Sequence, residues 1–274
     1  MSAPNVLQAT ARDLEMLRDV AVAAANGAAV IVRAHRGVGP TVEWQVKGRS
    51  DYVSIVDTAA EERIREIVAR ALPDARVIGE ELTPGDVAGS GITFVVDPLD
   101  GTTNFLHDYP EYAISVAVLA DRETVVGAVV NVPSHSTWVA VAGQGATLDG
   151  RPVHVSAVRE PARALIGTGF PFKYPDQIER YVRELPVIMR STAGIRRAGA
   201  AALDLCAVAT GRFDAFWEHS LEPRDFAAGA LLIREAGGVI TDLRGEALPL
   251  ARSGALAGNP WMHDWMLNAL ATVQ

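Results

Sequence analysis

A single cysteine, Cys206, stands among 274 residues, so the chain can form no disulfide within itself. Such scarcity fits a reducing compartment, and Cys206, on an apolar stretch, reads as a small buried helix residue. No apolar run reaches roughly 18 residues, so no membrane-spanning helix is expected. The start, Met1-Ser2-Ala3-Pro4, lacks a basic segment followed by an apolar one. No signal peptide is therefore expected, and a cytoplasmic location is. There is no G-x-x-x-x-G-K-[ST] phosphate loop and no G-x-S-x-G elbow. The six histidines are scattered without zinc spacing. Gly143-Gln144-Gly145 is a fragment of a dinucleotide signature and reads as a strand connection. Basic residues are also short, 25 against 33 acidic, for a formal charge of −8. That balance argues against nucleic acid and anionic lipid as partners, and Arg196-Arg197 is too short a basic run to reverse it. The same charge repels an anionic phosphate, so phosphate chemistry here requires bound cations.

The rest is ordinary globular composition, with 49% apolar residues and 21% charged ones. The length allows a large core and one or two domains. Apolar spacing predicts helices over 6–36 (stopped by Gly37–Pro40), Asp57–Ala71, 176–190, 200–210, 226–236 and 260–271. Strands are predicted over Val42–Lys47, Ala75–Gly79, Ile92–Val96, 113–120, 124–132, 136–142, 164–168, 194–198, 213–217 and 238–242. A hairpin is predicted around Asp149-Gly150. Helices and strands alternate without a regular βαβ period. This predicts an α+β (mixed α/β) fold of layered sheets and helices rather than a barrel. Residues 1–274 read as one unit of two lobes, with Arg159–Ala162 as the best boundary.

The most informative segment is Asp97-Pro98-Leu99-Asp100-Gly101-Thr102-Thr103-Asn104-Phe105. An apolar strand runs into two carboxylates separated by a proline that turns the chain. Asp97, Asp100 and the Leu99 carbonyl offer oxygen ligands suited to a hard cation such as Mg²⁺. Gly101 and Thr102 offer backbone N–H groups to a phosphate if a helix starts there. The alternative is a capped turn serving only its own donors. Upstream, Gly79-Glu80-Glu81 also follows an apolar strand, and its alternative is an exposed acidic loop. Downstream, Asp225 begins a helix rich in small residues (Ala227, Ala228, Gly229), where a plain N-cap is the alternative. Gathered at one point, Glu80, Asp97, Asp100 and Asp225 would repel one another and raise their pKa values. Divalent cations remove that penalty.

These segments resemble the inositol monophosphatase family. Asp97–Phe105 matches its first signature, D-P-[IL]-D-G-T-x-N-[FY], in full. Arg224–Gly238 resembles its second, with Arg224 where the family has tryptophan. Gly79-Glu80-Glu81 and the pattern K-x-x-x-D-x-V-[ST]-x-x-D over Lys47–Asp57 are also present, in the family's order. The resemblance implies a layered αβαβα sandwich of the sugar-phosphatase type. It implies a lobe over about 1–160 that binds metal and phosphate, and one over about 161–274 on the substrate side. It further implies two or three Mg²⁺ ions. Glu80, Asp97 and the Leu99 carbonyl would hold one, and Asp97, Asp100 and Asp225 a second. Glu80 would help hold a third, weaker ion through water. Asp57 and Thr102 would orient and deprotonate the attacking water, and the Gly101 and Thr102 amides would bind phosphate. Gly199, Ala200, Ala201 and Glu218 match positions that contact the polyol, although Ala200 stands where a hydroxyl residue is common.

The implied activity is Mg-dependent hydrolysis of a small phosphorylated polyol or sugar, inositol monophosphate first, by water attacking in line. Histidinol phosphate, fructose 1,6-bisphosphate and a nucleotide 3′-phosphate are rivals on the same fold. Fructose bisphosphatases usually need extra basic residues for the second phosphate, and the sequence does not single them out. Some bacterial relatives instead act as partners of the transcription machinery. Lithium sensitivity and a homodimer are also expected by resemblance.

Overall fold

The computed structural model describes residues 11–37, 44–48, 51–85, 87 and 89–273. Helix α1 (Ala11–Ala34) buries Leu14, Leu17, Ala21, Ala24, Ala25, Ala28 and Val32, a broad apolar stripe at helical spacing. Its predicted start at residue 6, the stop at 38–40 and the first residues of the 42–47 strand lie outside the described residues. Strands β1 (Trp44–Gly48) and β2 (Asp51–Ser54) then pair as an antiparallel hairpin. Helix α2 (Ile55–Ala71) begins two residues before the predicted Asp57. The reason is Ser54: its backbone is extended and its hydroxyl accepts the Val56 N–H, so Ser54 rather than Asp57 caps the helix.

Seven strands form the larger sheet in the spatial order β3 (Arg76–Ile78), β4 (Ile92–Asp100), β5 (Ala113–Ala120), β6 (Glu123–Asn131), β7 (Thr137–Val141), β8 (Gly145–Leu148) and β9 (Arg151–Pro152). Only β3 and β4 run parallel; the other neighbours are antiparallel. The predicted hairpin joins β8 to β9 through Asp149 and Gly150, at φ 50° and 76°, a pair of left-handed residues suited to a tight turn. Strands β5 and β6 are buried on both faces, which is why they read as almost unbroken apolar runs. A short helix, α3 (Thr102–Leu106), follows β4.

The second sheet has five strands in the order β11 (Gly194–Arg196), β10 (Leu165–Thr168), β12 (Ala215–Leu221), β14 (Ser253–Gly258) and β13 (Val239–Thr241). Helices α1 and α2 pack on the outer face of the first sheet, sharing one core with β4, β5 and β6. Helices α5 (Ala201–Ala209) and α6 (Pro223–Glu235) fill the space between the sheets. Helices α4 (Ile178–Ser191) and α7 (Pro260–Ala271) cover the far face of the second. The layers run αβαβα, the expected sandwich. Cys206 is buried within α5, as its apolar setting suggested. Among the described residues no helix is long and apolar enough to cross a membrane.

Two differences carry physical meaning. Strand β14, Ser-Gly-Ala-Leu-Ala-Gly, was not predicted, because it holds no β-branched or aromatic residue. It lies inside its sheet, between β12 and β13, and needs small residues: a Cβ on Gly254 or Gly258 would stand about 3 Å from the carbonyls of His219 or Asp214. Helix α6 starts at Pro223 rather than 226, with Glu222 as N-cap and the proline at the first helical position, where its missing N–H costs nothing.

Candidate active site

The site begins with an irregularity in β4. The sequence reading ended that strand at Val96, but pairing continues to Asp100. Asp97 faces Ser115 and Asp100 faces Ala113, so three steps on β4 match two on β5. The extra residue is a bulge at Pro98–Leu99, where a proline is tolerated because the ladder is already broken. In a regular strand residues three apart point to opposite faces. The bulge returns Asp100 to the side of Asp97, and both line one cavity. Gly101 then turns with φ 91°, and a Cβ there would stand 2.9 Å from the Glu111 carbonyl, so the position requires glycine.

Two further aspartates arrive by one local device used twice. Asp57 is the third residue of α2, and its Oδ2 accepts the Ser54 N–H at 2.9 Å and the Ser54 hydroxyl at 2.5 Å. Asp225 is the third residue of α6, and its Oδ2 accepts the Glu222 N–H at 2.7 Å. Each carboxylate closes a capping box, so neither is the N-cap itself. One oxygen is fixed by its own helix. The other oxygen of Asp57 lies 3.0 Å from the Thr102 hydroxyl, which is also 3.0 Å from the Leu99 carbonyl and donates to one of them at a time. Asp57 does not line the cavity; it meets the site through Thr102.

Glu80 is placed by a residue the sequence reading missed. Glu61, on the buried face of α2, accepts the N–H groups of Glu81, Leu82 and Thr83 at 2.7, 3.1 and 3.0 Å. Its carboxylate therefore anchors the loop that carries Glu80. Gly79 must be glycine, since a Cβ would run into that carboxylate. The signal was available: Glu61 lies on the stripe of Ala60, Ile64 and Val68, and a carboxylate on an apolar face needs buried donors.

The cavity holds about 610 Å³. Glu80, Asp97, Leu99, Asp100, Gly101 and Thr102 line it from the first half of the chain, and Gly199, Ala200, Ala201, Glu218 and Asp225 from the second. Asp100 is tied across the two halves by the Ala202 N–H at 2.8 Å, at the start of α5. Lys173, Arg197 and Arg224 add cations to its wall. The Arg197 guanidinium lies 5.4 and 5.1 Å from the ring centres of Phe170 and Phe172. Arg224 lies against Glu80, at 3.3 Å.

Crowding has the expected electrostatic effect. Burial first, then Glu80, Asp100 and Asp225, push Asp97 well above the usual carboxylate range. Burial and Asp225 raise Asp100 to about 7. Burial raises Asp225 to about 6, with Arg224 opposing and Glu80 adding. Desolvation and the nearby Asp225 push the half-buried Glu218 up to about 8, with Arg197 opposing. The donor set is all oxygen and acidic, with Asp97 buried and Glu80, Asp100 and Asp225 half-buried, the chemistry that suits a hard divalent cation. It is not a closed cage: among the described residues no three acidic, histidine or cysteine side chains converge at ligating spacing. Glu80 is turned to Arg224, and Asp97 Oδ1 accepts the Leu99 N–H at 3.0 Å. The donors thus fit a cation in kind, and binding one calls for side chains to turn.

Comparison with known proteins gives consistent relatives. Residues 13–274 match the inositol monophosphatase family. Inositol-1-monophosphatase of Rhizobium meliloti is 44% identical over 218 residues, 80% of this chain and 82% of that protein. Nus factor SuhB of Pseudomonas aeruginosa is 42% identical over 217 residues, 78% of this chain and 80% of that one. The structure of inositol monophosphatase from Anabaena superposes with a TM-score of 0.84 at 32% identity, covering 96% of this chain and 98% of the other.

Proposed function

The chain belongs to the inositol monophosphatase family and is a phosphoric monoester hydrolase, and from that premise we propose that it hydrolyses inositol monophosphate to inositol and phosphate with Mg²⁺. The observation that carries this reading is the convergence of Glu80, Asp97, Asp100 and Asp225 on one cavity that Thr102 links to Asp57. Glu80, Asp97, the Leu99 carbonyl, Asp100 and Asp225 are the groups that would hold two or three ions. Bound there, magnesium would neutralise phosphate oxygens and make water acidic enough to attack near neutral pH. Asp57 and Thr102 orient the attacking water and accept its proton. The Gly101 and Thr102 amides bind a phosphate oxygen. Gly199, Ala200, Ala201 and Glu218 face the alcohol, and no side chain acts as a covalent nucleophile. The lobe of about 1–160 supplies most metal and phosphate contacts, and that of about 161–274 the substrate side together with Asp225. A homodimer, lithium sensitivity and a cytoplasmic location complete the proposal.

Phosphate release measured over polyol, sugar, histidinol and nucleotide monoesters tests it. Turnover of inositol monophosphate should lead the series and vanish with chelator. A clear preference for histidinol phosphate, fructose 1,6-bisphosphate or a nucleotide 3′-phosphate would reassign the substrate without changing the chemistry. A second reading, partnership with the transcription machinery, is favoured by the relative named Nus factor SuhB. Binding of purified transcription factors by metal-free protein, with no phosphatase activity on any ester, would favour it.

A further inference from the structure

We propose that Arg224 is a built-in counter-ion for Glu80, competing with the divalent cations that the acidic cluster otherwise attracts; the inference rests on the metal-dependent reading above. Arg224 stands at the one signature position where the chain departs from tryptophan. Its Nη2 donates to Glu80 Oε1 at 3.3 Å, and its Nε lies 3.3 Å from Oε2, so one guanidinium faces both oxygens. The same Nε is 3.9 Å from Asp225 Oδ1.

Three features show that this is not a structural salt bridge of the ordinary kind. The Nε is buried but has no aligned hydrogen-bond partner, so the fork is not closed. Arg224 occupies the second position of α6, where a cation opposes the helix dipole, so it does not serve the helix. Both side chains border the open cavity rather than the packed core.

The competition follows from distance. A divalent cation on a carboxylate sits about 2.1 Å from the oxygen. On Glu80 it would stand a few ångströms from a fixed positive charge, in a partly buried site where screening is weak. Glu61 holds the Glu80 loop by three backbone N–H groups, so Glu80 cannot easily retreat. The long arginine side chain must move instead. In the arrangement seen, Glu80 is turned to the guanidinium, and among the described residues no three acidic, histidine or cysteine side chains stand at ligating spacing.

Mn²⁺ titration of chelator-stripped protein, followed by calorimetry and by electron paramagnetic resonance of free Mn²⁺, tests the proposal. Arg224→Gln and Arg224→Trp should each bind one more Mn²⁺ per chain, or bind the weakest one at least tenfold more tightly. Arg224→Lys should fall between. Adding Glu80→Gln to Arg224→Gln should erase the gain. In chelator the Arg224→Gln protein should melt below wild type, and with Mn²⁺ it should recover, which also establishes that it folds. Stoichiometry and affinity within twofold of wild type in folded Arg224→Gln and Arg224→Trp would overturn the proposal. If no variant and no wild-type protein bound Mn²⁺, the metal-dependent reading itself would fall, a result distinct from equal binding.

Discussion

Asp97 is buried, yet every charged carboxylate near it is of its own sign. Within the protein only the Leu99 N–H and the Arg224 charge favour its ionised form, against burial and three carboxylates, so Asp97→Asn separates function from folding. The amide removes a repulsive charge and a proposed ligand together. The variant should lose at least about a hundredfold in turnover, since even indirect metal supports are worth 10–100-fold. Its chelator-treated form should melt above wild type. Near-normal turnover would take Asp97 out of the metal site. Thr102→Val is the companion test for the water-orienting pair. It removes the hydroxyl that meets Asp57 while keeping shape, and should lower kcat by about 10²-fold or more with KM little changed. Equal kcat would leave Asp57 a capping residue and nothing else.

Single elements position these groups, and here the sequence was only partly readable. The D-P-L-D-G-T run announced itself, because its residue types admit few structures. Asp57 and Asp225 were read as helix starts and are third residues instead, since Ser54 and Glu222 occupy the caps. The chemistry was legible; the cap that aims it was hidden in a neighbour. Glu61 was overlooked for a related reason, since its partners lie about twenty residues on, in a loop without periodicity. Glu61→Ala should therefore cost about 2–3 kcal/mol, with three part-buried backbone N–H groups losing their carboxylate partner. Activity should fall with it as the Glu80 loop loosens. Urea unfolding and turnover measured together would check both, and a change in stability under 1 kcal/mol would deny the loop its anchor. Helix packing sets a second limit. At Gly229 a Cβ would stand 2.6 Å from Leu205 Cβ, which explains the small-residue stretch that opens α6 against α5.

At the scale of the whole molecule, the layers followed from alternation of element types, and the missed strand β14 had no β-branched or aromatic residue to betray it. The acidic cluster sits where the two sheets and the helices between them meet, so its charge acts on global stability. In chelator, the unfolded chain ionises Asp100 and Asp225 near pH 4, whereas the folded protein holds their protons to about 7 and 6. Across that window the folded state binds more protons, so stability falls as pH rises and levels off above about pH 8. Below pH 4 both states are protonated and these groups contribute no slope. Melting followed from pH 5 to 8 should show a decline of several degrees in chelator, about 4–8 °C for each kcal/mol in a small domain and less in one of this size. Mg²⁺ should flatten it. A flat profile in chelator would mean that the carboxylates ionise without strain.

The bulge at Pro98–Leu99 makes the acidic cluster a matter of counting. Remove one residue from that segment and the strand can resume even pairing with β5, two steps against two, with Asp97 and Asp100 still on one side. What would go is the kink that presents the Leu99 carbonyl to the Thr102 hydroxyl. A protein lacking Leu99 alone should keep its far-ultraviolet circular dichroism, and Mn²⁺ affinity lost by it would measure the kinked backbone itself, both carboxylates being retained on their side.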